Sequence, residues 1–448
     1  MDKKIFAGVS RVNITPPLGY RLQGHLSRNQ PSGKVHDPLY MKVLSISNGS
    51  DRVVIITADL LGFSVDTVNM AWKEIKARTG LLPHQVMICA SHTHSGPFVL
   101  PPPDGKLNEN YIPGYSALLA KQAAGAVREA MSCEEKVSLV FGKKEINIGS
   151  INRRKKNPDG TIGGPDPDGP ADREVSVLSF EKNPGTPHAI LFNYGCHPTT
   201  VSNKIYDITA EYPGAAQSEL ERFYPGATAL FTNGCSGDVR PALLNEDRTE
   251  FRAGDFEDIR RMGRLLAAGT IEAIEDSRRK SINSDIRADK IEGRLIQFPF
   301  PLDERLVARD VESLERNFPE LVRRLRAGNP PMEHEMKWKE MWKERILKKE
   351  DIKAEVEGDI QVFRIGPLSL VAFPGDTMSE IGLKIKKRLP FAVTISNSNR
   401  RIGYIPSAQG LKDGGYEACF FFFQGFPGPY APGMEEALVK RIIELAEK

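Results

Sequence analysis

Four candidate metal donors in this sequence occupy the same kind of place, just past the end of an apolar run. His92 and His94 follow QVMICA in SHTHSG, His197 follows HAILFNYG in CHPTT, and Asp376 follows LSLVAF in PGDT. Imidazoles and carboxylates are ligands that a zinc ion gathers tetrahedrally, and a catalytic zinc keeps one position for water. In extended backbone, residues i and i+2 project to the same side, so His92 and His94 can face one point. The H-x-H pair alone reads equally well as a satisfied structural pair; His197 and Asp376 at comparable positions turn the reading towards a mononuclear metal hydrolase. Asp238 and Arg240 in CSGDVRP, after ATALFTNG, and Tyr404 in GYIPS, after FAVTISNSN, share the pattern.

Something must hold these residues on one edge. VVIITA at 53 to 58 is a β-branched run bounded by polar residues, the mark of a strand buried on both faces. From Ser64 to Arg78 the apolar positions Val65, Val68, Trp72 and Ile75 recur at three and four, with Ser64 as cap and Gly80 and Pro83 as stop. QVMICA follows at once, so the unit is a βαβ crossover with parallel, adjacent strands. Ligands in such sheets sit beyond the carboxyl ends of the strands, where SHTHSG lies. Segments 110–131, 213–223 and 256–276 also show helical spacing. The expected fold is α/β: a multilayer arrangement around a largely parallel or mixed sheet with helices packed on it, the metal site at the strands' carboxyl ends along one sheet edge. One domain is expected over 1–448. The charged stretch 303–352, with Trp338 and Trp342 four apart, reads as a solvated helical pair or as an insertion or lid. Asp166 and Asp168 in the loop 157–172 lack the remaining spacing of a calcium loop.

Composition excludes several classes. The 448 residues carry 61 Lys and Arg against 58 Asp and Glu, a net charge of +3, and are 40% hydrophobic. The charges are interleaved and the densest basic cluster, NRRKKN at 152 to 157, has no aromatic ladder, so no nucleic-acid partner is expected. No apolar run approaches the ~20 residues of a membrane span, and the N-terminus lacks the apolar core of a secretion signal. Five cysteines at irregular spacing read as reduced thiols. A cytoplasmic protein without integral membrane association is expected.

The sequence resembles the catalytic domain of neutral (non-lysosomal) ceramidases and their bacterial relatives. The resemblance rests on AGVSRVNITPP, VHDPLYMKVL, ASHTHSGP, INRR, CHPTT, AEYPG, NGCSGDVRP, FPGD, GYIPS followed by GGYE, and APGMEEALV, which span most of the chain. It implies one zinc ion held by His92, His197, Asp376 and Tyr404, with His94, Arg153 and Tyr416 lining the reacting centre. His94 then handles protons or orients the attacking water, Arg153 and Tyr416 stabilise the developing oxyanion, and the reaction is attack of metal-activated water on the amide of a small N-acyl substrate. Two departures stand out. The family's ceramidases usually carry glutamate where this chain has Asp376, and serine where it has Arg240; an arginine there fills the pocket, adds positive charge and points away from ceramide towards a smaller or anionic substrate. The chain also ends where the family's accessory domain begins, so presentation at a lipid surface is not implied.

Competing readings are a thiol hydrolase using Cys196 or Cys235, a zinc hydrolase of esters or lactones, and a zinc-stabilised binding protein without turnover. His25 and His36 read as structural histidines or as an N-terminal approach to the site, and His84, His188 and His334 as surface residues. Asp238 either orients a ligand or caps a turn. FFFFQGF at 420 to 426 either lines an acyl pocket beside Tyr416 or forms a core strand.

Overall fold

The computed structural model describes residues 4–25, 27–101, 107–279, 290–326 and 331–447. Along the chain run β1 (Ile5–Asn13), β2 (Lys34–Val35), β3 (Tyr40–Ser47), β4 (Arg52–Ala58), α1 (Val65–Thr79), β5 (Val86–Ala90), α2 (Tyr115–Ser132), β6 (Glu135–Glu145), β7 (Ser150–Asn152), β8 (Glu174–Asn183) and β9 (Thr186–Tyr194). There follow β10 (Asp207–Ile208), α3 (Glu211–Phe223), β11 (Thr228–Asn233), β12 (Val239–Pro241), α4 (Phe256–Arg279), β13 (Ile291–Pro301), α5 (Val311–Arg326), α6 (Glu333–Leu347), β14 (Glu355–Ile365) and β15 (Leu368–Ala372). The last elements are β16 (Gly375–Thr377), α7 (Ser379–Arg388), β17 (Ala392–Ile395), β18 (Gly403–Ile405), α8 (Ala408–Asp413), α9 (Phe421–Gln424) and α10 (Met434–Glu447).

The expected β4-α1-β5 crossover is present, with β4 and β5 parallel and in register. Ser64 caps α1 through its side chain, and Gly80 ends it in a left-handed conformation that glycine adopts without a Cβ clash. These strands belong to an eight-stranded mixed sheet, order β11-β9-β8-β6-β1-β3-β4-β5. Strand residues alternate between two faces. Val54, Ile56 and Ile88 pack under α1 and α2, while Ile55, Met87 and Cys89 face a second, four-stranded sheet, β13-β14-β15-β17. On the β9–β11 side, Ile190, Phe192 and Phe231 pack under α3 and α4. The far face of the second sheet is covered by α7 and α10. The layers are therefore helix, sheet, sheet, helix.

One expectation changes here. The polar clusters do not share a single sheet edge; they come from both sheets. The segment after β17 joins the two outer strands of the large sheet: Ser396 N–H donates to Asn233 O at 2.8 Å, Ala90 N–H to Asn397 O at 3.0 Å and Asn399 N–H to Ile88 O at 2.6 Å. Asn397 and Asn399 make these turns at φ 53° and 51°, a region asparagine tolerates better than most residues.

The stretch 303–352, of which 327–330 lie outside the described residues, contributes α5 and α6 between the paired strands β13 and β14. It is not merely a solvated pair. Trp338 and Trp342 are buried with Phe318, Phe421 and Phe422, and Trp338 Nε1 donates to Phe426 O at 2.7 Å. FFFFQGF is accordingly not a strand. Short apolar runs carry no period that separates strand from buried helix, and here Phe421 and Phe422 pack inward from a single helical turn.

Candidate metal centre

His92 follows β5, but not in the extended geometry expected for the H-x-H pair. Its φ is 70°, a sparsely populated region for a residue with a Cβ. Two hydrogen bonds hold it there: His92 N–H donates to Leu60 O at 2.9 Å, and ring Nδ1 donates to Leu61 O at 2.6 Å. The turn brings His94 back, so that the two Nε2 atoms lie 3.2 Å apart. His197, after β9, is fixed in the same way, with Nδ1 donating to Ser236 O at 2.6 Å. A carbonyl on Nδ1 sets the tautomer and leaves the Nε2 lone pair for a metal, the arrangement that metal-binding histidines use.

Asp376 and Tyr404 arrive together because β16 and β18 pair in parallel with these two residues as direct partners. Gly375 and Gly403 are opposite each other one step earlier, and a Cβ on Gly375 would run into the Gly403 carbonyl, so the close approach requires glycine. Asp376 Oδ2 lies 3.2 Å from His92 Nε2 and 3.9 Å from His197 Nε2; Tyr404 OH lies 3.3 Å from His197 Nε2. Metal–ligand bonds of ~2.0–2.1 Å imply tetrahedral ligand-to-ligand edges of about 3.4 Å. The donor set fits a metal ion, and the shorter aspartate side chain reaches the histidines.

Burial separates the residues into two groups. His92, His197, Asp376 and Tyr404 are 1%, 0%, 1% and 4% exposed, whereas His94 and Arg153 are partly open to solvent and Tyr416 is 38% exposed. All seven residues picked out from the sequence converge. Tyr416 stands 5.7 Å from the Tyr404 ring, centre to centre, and both rings pack on Phe420. Arg153 Nη2 donates to Tyr404 OH at 2.8 Å and Gly237 O at 2.7 Å, and Nε to Glu417 at 2.9 Å. Nη1 is left as its unengaged end among the described contacts.

The electrostatics follow from these neighbours. Burial pushes the Asp376 carboxyl up, but His92, Arg401 and His197 overcome it and hold it well below the usual carboxylate range. Burial, with His92, His25 and His197, keeps His94 well below the usual histidine range, so its ring is neutral near pH 7. Burial raises the Tyr404 phenol, and Arg153 works against that rise.

Several supporting residues escaped the sequence reading. Asn397 Nδ2 donates to Asp376 Oδ1 at 2.6 Å, Arg401 Nη2 to Asp376 Oδ2 at 2.8 Å, and Arg401 Nε to Asn397 Oδ1 at 2.9 Å. The asparagine-rich turn SNSNRR was their only local signal. Removing such a supporting group typically costs 10–100-fold in metal affinity. Arg401→Leu is therefore expected to weaken zinc binding by about that factor, measured by competition with a chelating dye; an unchanged affinity would show that Asp376 needs no such anchor. Asp238 acts as a cap: its carboxylate accepts the Ser379 N–H at 2.7 Å at the start of α7 and Asn152 Nδ2 at 3.0 Å, tying the strand before Arg153 to the segment after Asp376.

Other candidates fall elsewhere. Cys196 and Cys235 are fully buried and burial raises both thiols, Cys235 to about 12, which does not suit a nucleophile. His36 bonds Asp37 at 2.7 Å and stacks on Phe256, a structural role. His84 is exposed, but His188 is buried and His334 stacks on Phe423 at 4.1 Å, so neither is a plain surface residue. Asp166 accepts the Asp168 N–H at 3.2 Å within its own turn. A cavity of about 410 Å³ between Leu321, Leu411, Phe421 and Tyr430 has none of the seven residues in its wall.

The whole chain superposes on the crystal structure of neutral ceramidase from Pseudomonas aeruginosa with a TM-score of 0.73, covering 100% of this chain and 74% of that one at 20% identity. The chain has the neutral ceramidase fold. A second ceramidase structure, described as complexed with C2, matches at a TM-score of 0.72 and 19% identity, over 99% of this chain and 75% of that one. No family model matches the sequence. The ceramidase fold thus accounts for the two stacked sheets whose strand ends bring His92, His197, Asp376 and Tyr404 into one cluster. No helix among the described residues is long and apolar enough to cross a membrane.

Proposed function

We propose that the protein is a zinc-dependent amide hydrolase that cleaves small N-acyl substrates, ceramidase-like but not directed at ceramide itself. The observation that carries this reading is the buried convergence of His92, His197, Asp376 and Tyr404 beside a partly open His94. The ceramidase fold supports the choice of an amide bond.

The four buried donors would hold the ion. When bound, zinc supplies a Lewis acid and brings the pKa of a coordinated water down to ~7. His94 is neutral, faces the same point through Nε2, and takes the proton of the attacking water; it returns that proton to the leaving nitrogen. Arg153 holds the Tyr404 phenol and presents Nη1 to the substrate carbonyl oxygen, with Tyr416 across from it on the solvent side. The rings of Tyr416, Phe420 and Phe423, braced from behind by α6 and α9, give the acyl group an apolar wall.

The test pairs metal analysis with a screen of N-acyl amides, esters and lactones. The expected outcome is about one zinc per chain, amide cleavage lost with a chelator and restored by zinc. Zinc content with cleavage of esters or lactones alone, or with no turnover at all, would overturn the amide assignment.

A further inference from the structure

Two arginines beside the centre carry charge that no ion pair answers among the described residues. Arg28, in the N-terminal segment, is 4% exposed; its Nη1 donates to His94 O at 2.5 Å and its Nη2 to Ser95 Oγ at 3.4 Å, while its buried Nε has no partner. Arg240 stands one residue past Val239, whose carbonyl accepts the His197 N–H at 2.9 Å. Its guanidinium lies over Phe251 at 4.2 Å and its Nε is likewise buried without a partner. His25 belongs to the same group: its ring is 5.3 Å from His94, and its Nε2 is buried and unpartnered. Arg28 N–H donates to His25 O at 3.1 Å, and burial, then the charges of Arg28 and Arg240, push His25 down to about 4. The carboxyl that both arginines feel, Glu211, already accepts the Val201 N–H at 2.9 Å and is itself raised by burial.

Buried cations and unpaired donors are costly unless something compensates them. The aromatic wall meets the centre through Tyr404, whereas this cationic group meets it through His94. A substrate lying across the centre would be apolar on one side of the scissile bond and anionic on the other.

Resting on the amide-hydrolase reading, we propose that Arg240, Arg28 and His25 form an anion subsite, and that the substrate is an N-acyl amino acid whose carboxylate they receive. The acyl chain lies along Tyr416 and Phe420. Water gives its oxygen to the acyl carbon and a proton to the nitrogen, the C–N bond breaks, and the products are a carboxylic acid and a free amino acid.

The experiment compares N-acylglycines with the matching N-acylglycinamides, in acetyl, octanoyl and palmitoyl forms, which share the scissile bond and differ in charge. Charge-assisted hydrogen bonds of this kind are worth about 10–100-fold in affinity. The zinc-loaded protein is expected to prefer the glycines by about that ratio in kcat/KM, mainly through KM. Arg240→Ser should bring the ratio towards one, and Arg240→Lys should keep part of it, since lysine retains the charge but not the forked donors. Equal or better cleavage of the glycinamides by the unmodified protein would overturn the anion subsite and leave the hydrolase reading standing. If no amide is cleaved, calorimetric titration with the same pairs decides separately. Binding of the glycines that Arg240→Ser weakens supports the subsite while the hydrolase reading falls; equal affinity for both members, or no binding of any glycine, overturns the subsite.

Discussion

Replacing His197 with alanine, or His92 with alanine, will abolish zinc binding and reduce amide turnover by more than about 10³-fold, because the metal's several kcal/mol of charge stabilisation leave with it. Each imidazole is pre-set as a ligand by a 2.6 Å bond from Nδ1 to a main-chain carbonyl, Leu61 O for His92 and Ser236 O for His197. Neither ring has solvent to replace it, since His92 is 1% exposed and His197 0%. Metal content by mass spectrometry of the native protein and initial rates on one N-acyl substrate check the outcome together. Retained zinc in either variant would mean that the other donors suffice and that the histidine in question is not a ligand.

The second large effect separates a proton carrier from a ligand. His94→Ala is expected to keep the zinc and lose about 10²–10⁴-fold in kcat, the usual contribution of a positioned general base. His94 Nε2 is only 3.2 Å from His92 Nε2, so proximity alone does not distinguish the two roles. The anchoring does. His94 Nδ1 is buried with no hydrogen-bond partner behind it, and the residue is partly open to solvent. If zinc leaves with His94, the assignment of roles between the two histidines is wrong.

Local pattern carried much of the fold. The run VVIITA, the helix capped by Ser64 and the run QVMICA gave β4, α1 and β5 because continuous β-branched runs and three-to-four spacing are local signals. His92, His197 and Asp376 were legible as candidate donors for a related reason, each following an apolar run that ends abruptly in polar and small residues, whereas Tyr404 entered as a donor only through the resemblance to ceramidases. What could not be read was how strand ends from separate sheets meet. That depends on Asn397 and Asn399 turning the chain between β11 and β5, contacts across more than a hundred residues with no periodic trace. The left-handed turn at His92 was equally hidden, since nothing in ASHTHSG marks one histidine as the turning point. Arg28 and His25 lie in an N-terminal segment without regular structure, and their approach to His94 is set wholly by tertiary packing. Phe421 and Phe422 show the limit of composition, four aromatics in a row being as compatible with one helical turn as with a strand.

The most direct test of the central claim is a crystal of the zinc-loaded protein with diffraction recorded on both sides of the zinc absorption edge. One anomalous peak is expected, within about 2.3 Å of His92 Nε2, His197 Nε2, Asp376 Oδ2 and Tyr404 OH, with His94 outside the coordination sphere. A peak ligated by His94 in place of Asp376 or Tyr404, or no peak among these residues, would contradict it.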